Sequence, residues 1–285
     1  MASLFEQIEE MYRTSSDEEV ERFMLGVRDR LLAEGDSNPA DLATVCNELG
    51  GMYREASRYA ESIENFEMAM RATERITGTR QCAEYAVLLV NVAGTYRYER
   101  DFDAALERYS EARDILDALG QGDTYEYASL LNNLSLTFQD MGRLDEALAH
   151  ATAAHEIVAR LKPGETQEAI SLMNIATLAL RAGDMDTAVA YSRRAIDIYA
   201  ALDKTSGHYP AAVNLAAVID FKRGALEEAL AGFERSAELT KRNFGVNRDY
   251  ASALANIATV LAKLGRGDEA RAKLAEAEEI RSKLA

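Results

Sequence analysis

Apolar and small residues recur along this chain in paired stretches of helical spacing, and the pairs return at a nearly constant interval. With Tyr127 as position 0 of one unit, the same pattern starts at Leu42, Tyr85, Glu168, Tyr209 and Tyr250, in steps of 43, 42, 41, 41 and 41 residues. Positions 4, 8 and 11 share one face of a helix, and positions 20, 24 and 27 share a face of a second. Position 8 is always small: Gly50, Ala93, Ser135, Ala176, Ala217 and Ala258. So is position 20, with Ser62, Ala105, Ala147, Ala188, Ala229 and Ala270, and position 27, with Ala69, Ala112, Ala154, Ala195, Ser236 and Ala277. Two helices approach closely only where side chains are small, and larger neighbours then interlock as ridges into grooves. Gly142, Gly183, Gly224 and Gly265 fall in the break between the two helices. Gly78, Gly122, Gly164, Gly207 and Gly245 follow the second, where a left-handed residue ends a helix. The pattern predicts an all-α chain of six helix hairpins over 42–285, with units starting near 42, 85, 127, 168, 209 and 250.

The ends differ. Residues 1–41 read as a degenerate N-terminal hairpin covering the open end of the array. Ser16 and Glu19 form a capping-box pattern that opens a helix running to about Glu34. Val20, Phe23 and Gly26 fit positions 21, 24 and 27 there, while Glu19 does not fit the small column. In the sixth unit the apolar columns turn polar. Position 17 becomes Gly267 after Tyr59, Phe102, Leu144, Met185 and Leu226, and position 21 becomes Arg271 after Ile63, Leu106, Leu148, Val189 and Leu230. A terminal repeat needs such a polar outer face, so the sixth unit is expected to cap the array.

Small residues at positions 8, 20 and 27 are the signature of the tetratricopeptide repeat. The usual unit is about 34 residues, and these are longer by about one turn per helix. The segments LLNNLSLTFQDMGRLDEAL and ALANIATVLAKLGRGDEA resemble the long repeats of the kinesin light chain family. The resemblance covers 42–285. It implies a superhelical solenoid whose first helices line a concave surface.

That implication selects positions 2, 6, 9 and 13, a stripe nearly opposite the core stripe. Position 6 holds Glu48, Asn91, Asn133, Asn174, Leu215 and Asn256, and position 5 adds Asn47, Asn132 and Asn214. Asparagine is a mediocre helix former, so a ladder of it within helices calls for a reason. A side-chain amide can bond the backbone of an extended peptide through both donor and acceptor. It can equally bond a neighbouring helix, since a buried unsatisfied amide costs about 1–3 kcal/mol. Position 13 runs Glu55, Tyr98, Asp140, Arg181, Lys222, Lys263, so its sign changes along the array. Over positions 0–11 of the six units only Glu48, Glu168 and Asp220 are charged. Repeat proteins that clamp a terminal carboxylate carry lysines at positions 2 and 5, and this chain has none there.

With 32 Lys and Arg against 48 Asp and Glu, the formal charge is −16. Such a chain repels phosphate backbones and anionic membranes, so neither nucleic acid nor membrane is an expected partner. There is no basic-then-apolar leader and no run of about 18 apolar residues. Cys46 and Cys82 lack metal spacing, and Cys46 reads as a small core residue. A reducing cytoplasm is the expected location. His150 and His155 are five residues apart and cannot share a metal, and no nucleotide-binding or nucleophile motif occurs. No catalytic residue, metal or cofactor is expected. The expected role is a scaffold or adaptor that holds a protein or extended peptide segment through Asn47, Asn91, Asn132, Asn133, Asn174, Asn214, Asn256, Tyr98, Arg181, Lys222 and Lys263. The rivals are a receptor for a short signalling peptide and a self-associating module that forms a homo-oligomer.

Overall fold

The computed structural model describes residues 3–35, 38–202 and 207–283. Among them lie fourteen helices and no strand. They are α1 (Leu4–Thr14), α2 (Asp17–Ala33), α3 (Pro39–Glu55), α4 (Tyr59–Thr77), α5 (Ala83–Glu99), α6 (Phe102–Ala118), α7 (Tyr125–Asp140), α8 (Leu144–Leu161), α9 (Thr166–Ala182), α10 (Met185–Ala201), α11 (Tyr209–Lys222), α12 (Leu226–Phe244), α13 (Arg248–Lys263) and α14 (Gly267–Lys283). They fall into two compact units, Met1–Gly142 and Arg143–Ala285.

All eighteen residues of the three small columns are buried, from Gly50, Ser62 and Ala69 in the first repeat to Ala258, Ala270 and Ala277 in the sixth. The closeness of the crossings explains why. A Cβ added to Gly50 would lie 2.7 Å from the Phe66 ring, and one added to Gly232 would lie 2.8 Å from the Ala217 Cβ. Where the small residue is serine, its hydroxyl joins helices. Ser62 Oγ donates to the Gly50 carbonyl at 2.7 Å and meets Thr95 Oγ1 at 3.0 Å, which ties α4 to α3 and α5. Ser236 Oγ donates to the Pro210 carbonyl at 2.9 Å.

In the first unit an apolar cluster runs through α1 to α5. Ile8 of α1 and Val20, Met24, Val27 and Leu31 of α2 pack with Leu42, Val45, Leu49, Phe66 and Leu88. The buried face of α2 is therefore Val20-Met24-Val27-Leu31, at i, i+4, i+7, i+11. Phe23 is half-buried and Gly26 exposed, which corrects the register expected from the repeat alignment. The capping box is present, with Glu19 accepting from the Ser16 N–H at 3.0 Å.

In the second unit, Ala217, Phe233, Leu254, Ile257 and Leu261 belong to one apolar cluster across α11 to α14. Each hairpin there is also joined between position 0 of its first helix and position 26 of its second. Arg194 pairs with Glu168 at 3.4 Å, Arg235 donates to the Tyr209 hydroxyl, and Tyr250 donates to Glu276 at 3.4 Å.

The turn between the two helices of a repeat needs a left-handed residue at position 15. Gly142, Gly183, Gly224 and Gly265 have φ of +76°, +84°, +83° and +79°, and the first two repeats place Ser57 (+60°) and Arg100 (+69°) there instead. At the far end of the second helices Gly78 and Gly164 have the expected positive φ, and Gly245 has φ +74° but ψ −162°, outside the left-handed helical region. Gly122 and Gly207 do not take that conformation. Gly120 supplies it after α6, and α10 ends in extended backbone at Leu202.

Candidate functional site

The amides of the first helices meet one repeat apart. Asn91 Nδ2 on α5 donates to Asn47 Oδ1 on α3 at 2.9 Å. In the second unit Asn256 Nδ2 on α13 donates to Asn214 Oδ1 on α11 at 3.4 Å. In both cases position 6 of one first helix reaches back to position 5 of the helix before it. Asn133 has Val90 at that preceding position, so its Nδ2 turns to the Ser129 carbonyl of its own helix at 2.9 Å. Asn132 is half-buried and Asn174 exposed. The two helix-to-helix pairs each leave a polar valence uncommitted, because an amide offers two donors and an acceptor with two lone pairs. A structural bond and a ligand-facing edge are thus compatible in one side chain.

Each pair floors a cavity. A cavity of about 560 Å³ lies over Asn47 and Asn91, walled by Thr44 and Val87 at position 2 and by Thr73 and Thr77 of α4. A cavity of about 280 Å³ lies over Asn214 and Asn256, walled by Ala211 and Ser252 at position 2 and by Thr240 and Phe244 of α12. The two use the same repeat columns: 2, 5 and 6 of consecutive first helices and 31 and 35 of the second helix between them. In the first unit the rim combines exposed apolar side chains, Phe5 at 50% and Ile76 at 51%, with the carboxylates of Glu84 and Glu126.

A further cavity of about 620 Å³ opens where α1 and α2 meet α3. Tyr12, Met52 and Tyr53 supply its rings and thioether, and Asp17, Glu18, Glu21, Glu48 and Glu55 supply carboxylates. Its cation, Arg58, is committed to Glu21 at 2.7 Å and to Glu61, with the Tyr53 ring 4.1 Å from the guanidinium. Burial holds the Glu48 carboxyl above its usual range, with Glu9 adding to that and the Asn47 hydrogen bond opposing it. Burial raises the Tyr12 phenol as well, followed by the charges of Glu48, Glu55 and Asp17.

The position-13 residues do not share one environment. Glu55 lines this acidic cavity. Tyr98 is exposed beneath the Arg97 guanidinium at 4.4 Å, and Arg97 pairs with Asp140 at 2.6 Å. Asp140 therefore has a partner within the first unit that accounts for it. In the second unit Arg181 and Lys222 are exposed, and the Lys263 ammonium lies 5.3 Å over the Phe221 ring. Sequence patterns missed Phe5 and Tyr12, which precede the repeats, and missed the acidic cavity. A scan for complementary side chains one repeat apart would have found Asn47 with Asn91, Asn214 with Asn256 and Arg97 with Asp140.

Among the described residues no group of three or more His, Cys, Asp or Glu is placed to hold a metal ion. Burial pushes the Cys46 thiol up to about 11, far from a reactive thiolate. His155 is buried, with Nδ1 2.8 Å from Ser171 Oγ and its ring edge-on to Tyr191. Burial and then Arg194 hold its imidazole below the usual range. No described helix is long and apolar enough to cross a membrane.

No curated protein matches this chain. Among solved structures it is similar to BtubC (BKLC) from P. vanneervenii, at 19% identity and a TM-score of 0.68 over 80% of this chain and 89% of that one. It is similar to TPR-like repeats of kinesin-light-chain type from Podosopora anserina, at 16% identity and 0.61 over 69% and 94%. It is also similar to a Rap protein complexed with Competence and Sporulation Factor, at 15% identity and 0.60 over 99% and 85%. At these identities the likeness is one of fold. The sequence pattern described as tetratricopeptide repeat matches residues 41–118, 126–201 and 209–283. The chain belongs to the tetratricopeptide repeat family.

Proposed function

We propose that this chain is a non-catalytic scaffold or adaptor that holds an extended polypeptide segment against its first helices. One observation carries the reading: cavities at the same repeat columns in both units, each floored by an asparagine pair with spare hydrogen-bonding capacity. An extended chain presents a backbone amide roughly every 3.3 Å and matches amide edges with little regard to its own side chains, while the cavities take side chains. The similarity to a Rap protein solved with Competence and Sporulation Factor supports a ligand-binding use of the fold. The acidity disfavours nucleic acid and anionic membranes as partners. Asn132, Asn133, Asn174, Tyr98, Arg181, Lys222 and Lys263 are secondary contacts in this reading.

Affinity capture followed by mass spectrometry tests it, comparing the natural chain with Val87→Trp and Ala211→Trp. Both residues are exposed at position 2, so tryptophan fills the cavities without entering the core. A large protein captured by the natural chain and lost from both variants supports the adaptor. A short peptide lost in the same way identifies a receptor, and capture of the chain itself a self-assembling module. Equal capture by natural and filled chains overturns groove binding.

A further inference from the structure

Glu48 occupies position 6 of the first repeat, where four of the other five units have asparagine. It lines two cavities of the first unit, the one over Asn47 and Asn91 with Phe5, Ile76 and Val87 among its walls and the acidic one beside α1 and α2. The two cavities are therefore neighbours along one face of α3, with a half-buried carboxylate between them. On one side Phe5, Ile76 and Val87 present apolar surface to solvent. On the other, Asp17, Glu18, Glu48 and Glu55 have no Lys or Arg paired with them among the described residues, and Arg58 is held by Glu21 and Glu61.

We propose that this face of the first unit selects an extended segment carrying a large apolar side chain next to a lysine or arginine. The apolar side chain enters the cavity over Asn47 and Asn91, and the cation lies against Glu48 and Glu55 beside the Tyr12 ring. This rests on the groove-binding reading and adds the chemistry of the partner.

The argument is charge complementarity. Five carboxylates surround the acidic cavity against one cation already satisfied, so a single incoming ammonium or guanidinium relieves repulsion with several partners at once. An acidic or neutral side chain there would leave those carboxylates unrelieved, which excludes such partners. Tyr12 is 44% exposed and offers a ring face to a cation. The stem of a lysine or arginine suits a wall that includes Met52. Burial already raises the Glu48 carboxyl, with Glu9 adding to it, so a bound cation recovers a cost the folded chain bears when empty.

Selection of a library of short random peptides on the full-length chain tests the inference, with Glu48→Gln and Val87→Trp as parallel baits. The expected result is enrichment of peptides with Lys or Arg beside a large apolar residue. Their affinity should fall about tenfold or more on Glu48→Gln, equivalent to about 1.4 kcal/mol, and weaken as salt rises. They should be lost on Val87→Trp. Enriched peptides that are neutral or acidic, or indifferent to Glu48→Gln, overturn the basic partner while leaving groove binding intact. Peptides indifferent to Val87→Trp, or no enrichment on the natural chain, overturn groove binding and this inference with it.

Discussion

Gly50 and Gly51 are adjacent in α3, and replacing each with alanine should move stability in opposite directions. Alanine in a helix interior is favoured over glycine by about 0.8–1.0 kcal/mol. At Gly51 nothing lies within 4 Å of the added Cβ, so Gly51→Ala should keep most of that gain and stabilise by about 0.5–1 kcal/mol. At Gly50 the new Cβ would sit 2.7 Å from two Phe66 ring atoms and 2.8 Å from a third. Carbon atoms pack best at about 3.5–4.0 Å, so the ring would have to retreat by about 1 Å. Phe66 is 1% exposed and belongs to the cluster joining α1 to α5, so it has little space to retreat into. Overpacking of this kind costs about 1–3 kcal/mol, enough to cancel or exceed the propensity gain. The two variants should differ by about 1–3 kcal/mol, the same overpacking term. Urea denaturation followed by far-UV circular dichroism measures the difference, with the slope checked for loss of cooperativity, which repeat arrays can show. Gly50→Ala/Phe66→Leu should recover part of the loss. If Gly50→Ala proves as stabilising as Gly51→Ala, the helices of the first hairpin do not cross at the distance that makes position 8 small.

Other expectations follow from single features. Ala188→Leu adds atoms at a fully buried crossing of α9 and α10 and should destabilise by about 1–3 kcal/mol; an unchanged midpoint would contradict the small-column account. Ser57→Gly puts glycine where φ is +60° and the side chain is exposed, so urea midpoints should show a gain of about 0.5–1 kcal/mol. His155 is held below its ordinary 6.5 by burial, so the unfolded chain binds the proton more readily than the folded one. Stability should be fully present above about pH 6.5 and fall as pH drops below it towards the folded pKa; thermal melts of His155→Gln should lack that component.

What could be read in the sequence was what repeats. The small columns are fixed by one local requirement, close helix crossing, and recur often enough to align without structure. The capping box at Ser16 and Glu19 was legible because both partners lie within one turn. The register of α2 was not. Its aligned triplet ended on Gly26, which buries nothing, whereas Met24 and Val27 reach the core shared with Ile8 of α1. Gly122 was mistaken for Gly120 because two glycines stand two residues apart and only backbone geometry tells which turns left-handed. The asparagine ladder was visible, but its pairing was not, because partners lie 44 and 42 residues apart. The cavities depend on Phe5 and Tyr12, which precede the repeats, and on Ile76 and Arg58, which lie in the first repeat outside the aligned small and apolar columns.

Photo-crosslinking from single positions in the cell tests groove binding most directly. A diazirine side chain would be placed at Val87 or Ala211 over the two cavities, and as controls at Glu64 of α4 or Glu234 of α12, both exposed on second helices. The account predicts that Val87 and Ala211 form adducts with the same polypeptide and that Glu64 and Glu234 do not. Adducts concentrated at Glu64 and Glu234, or equal at all four positions, would contradict it.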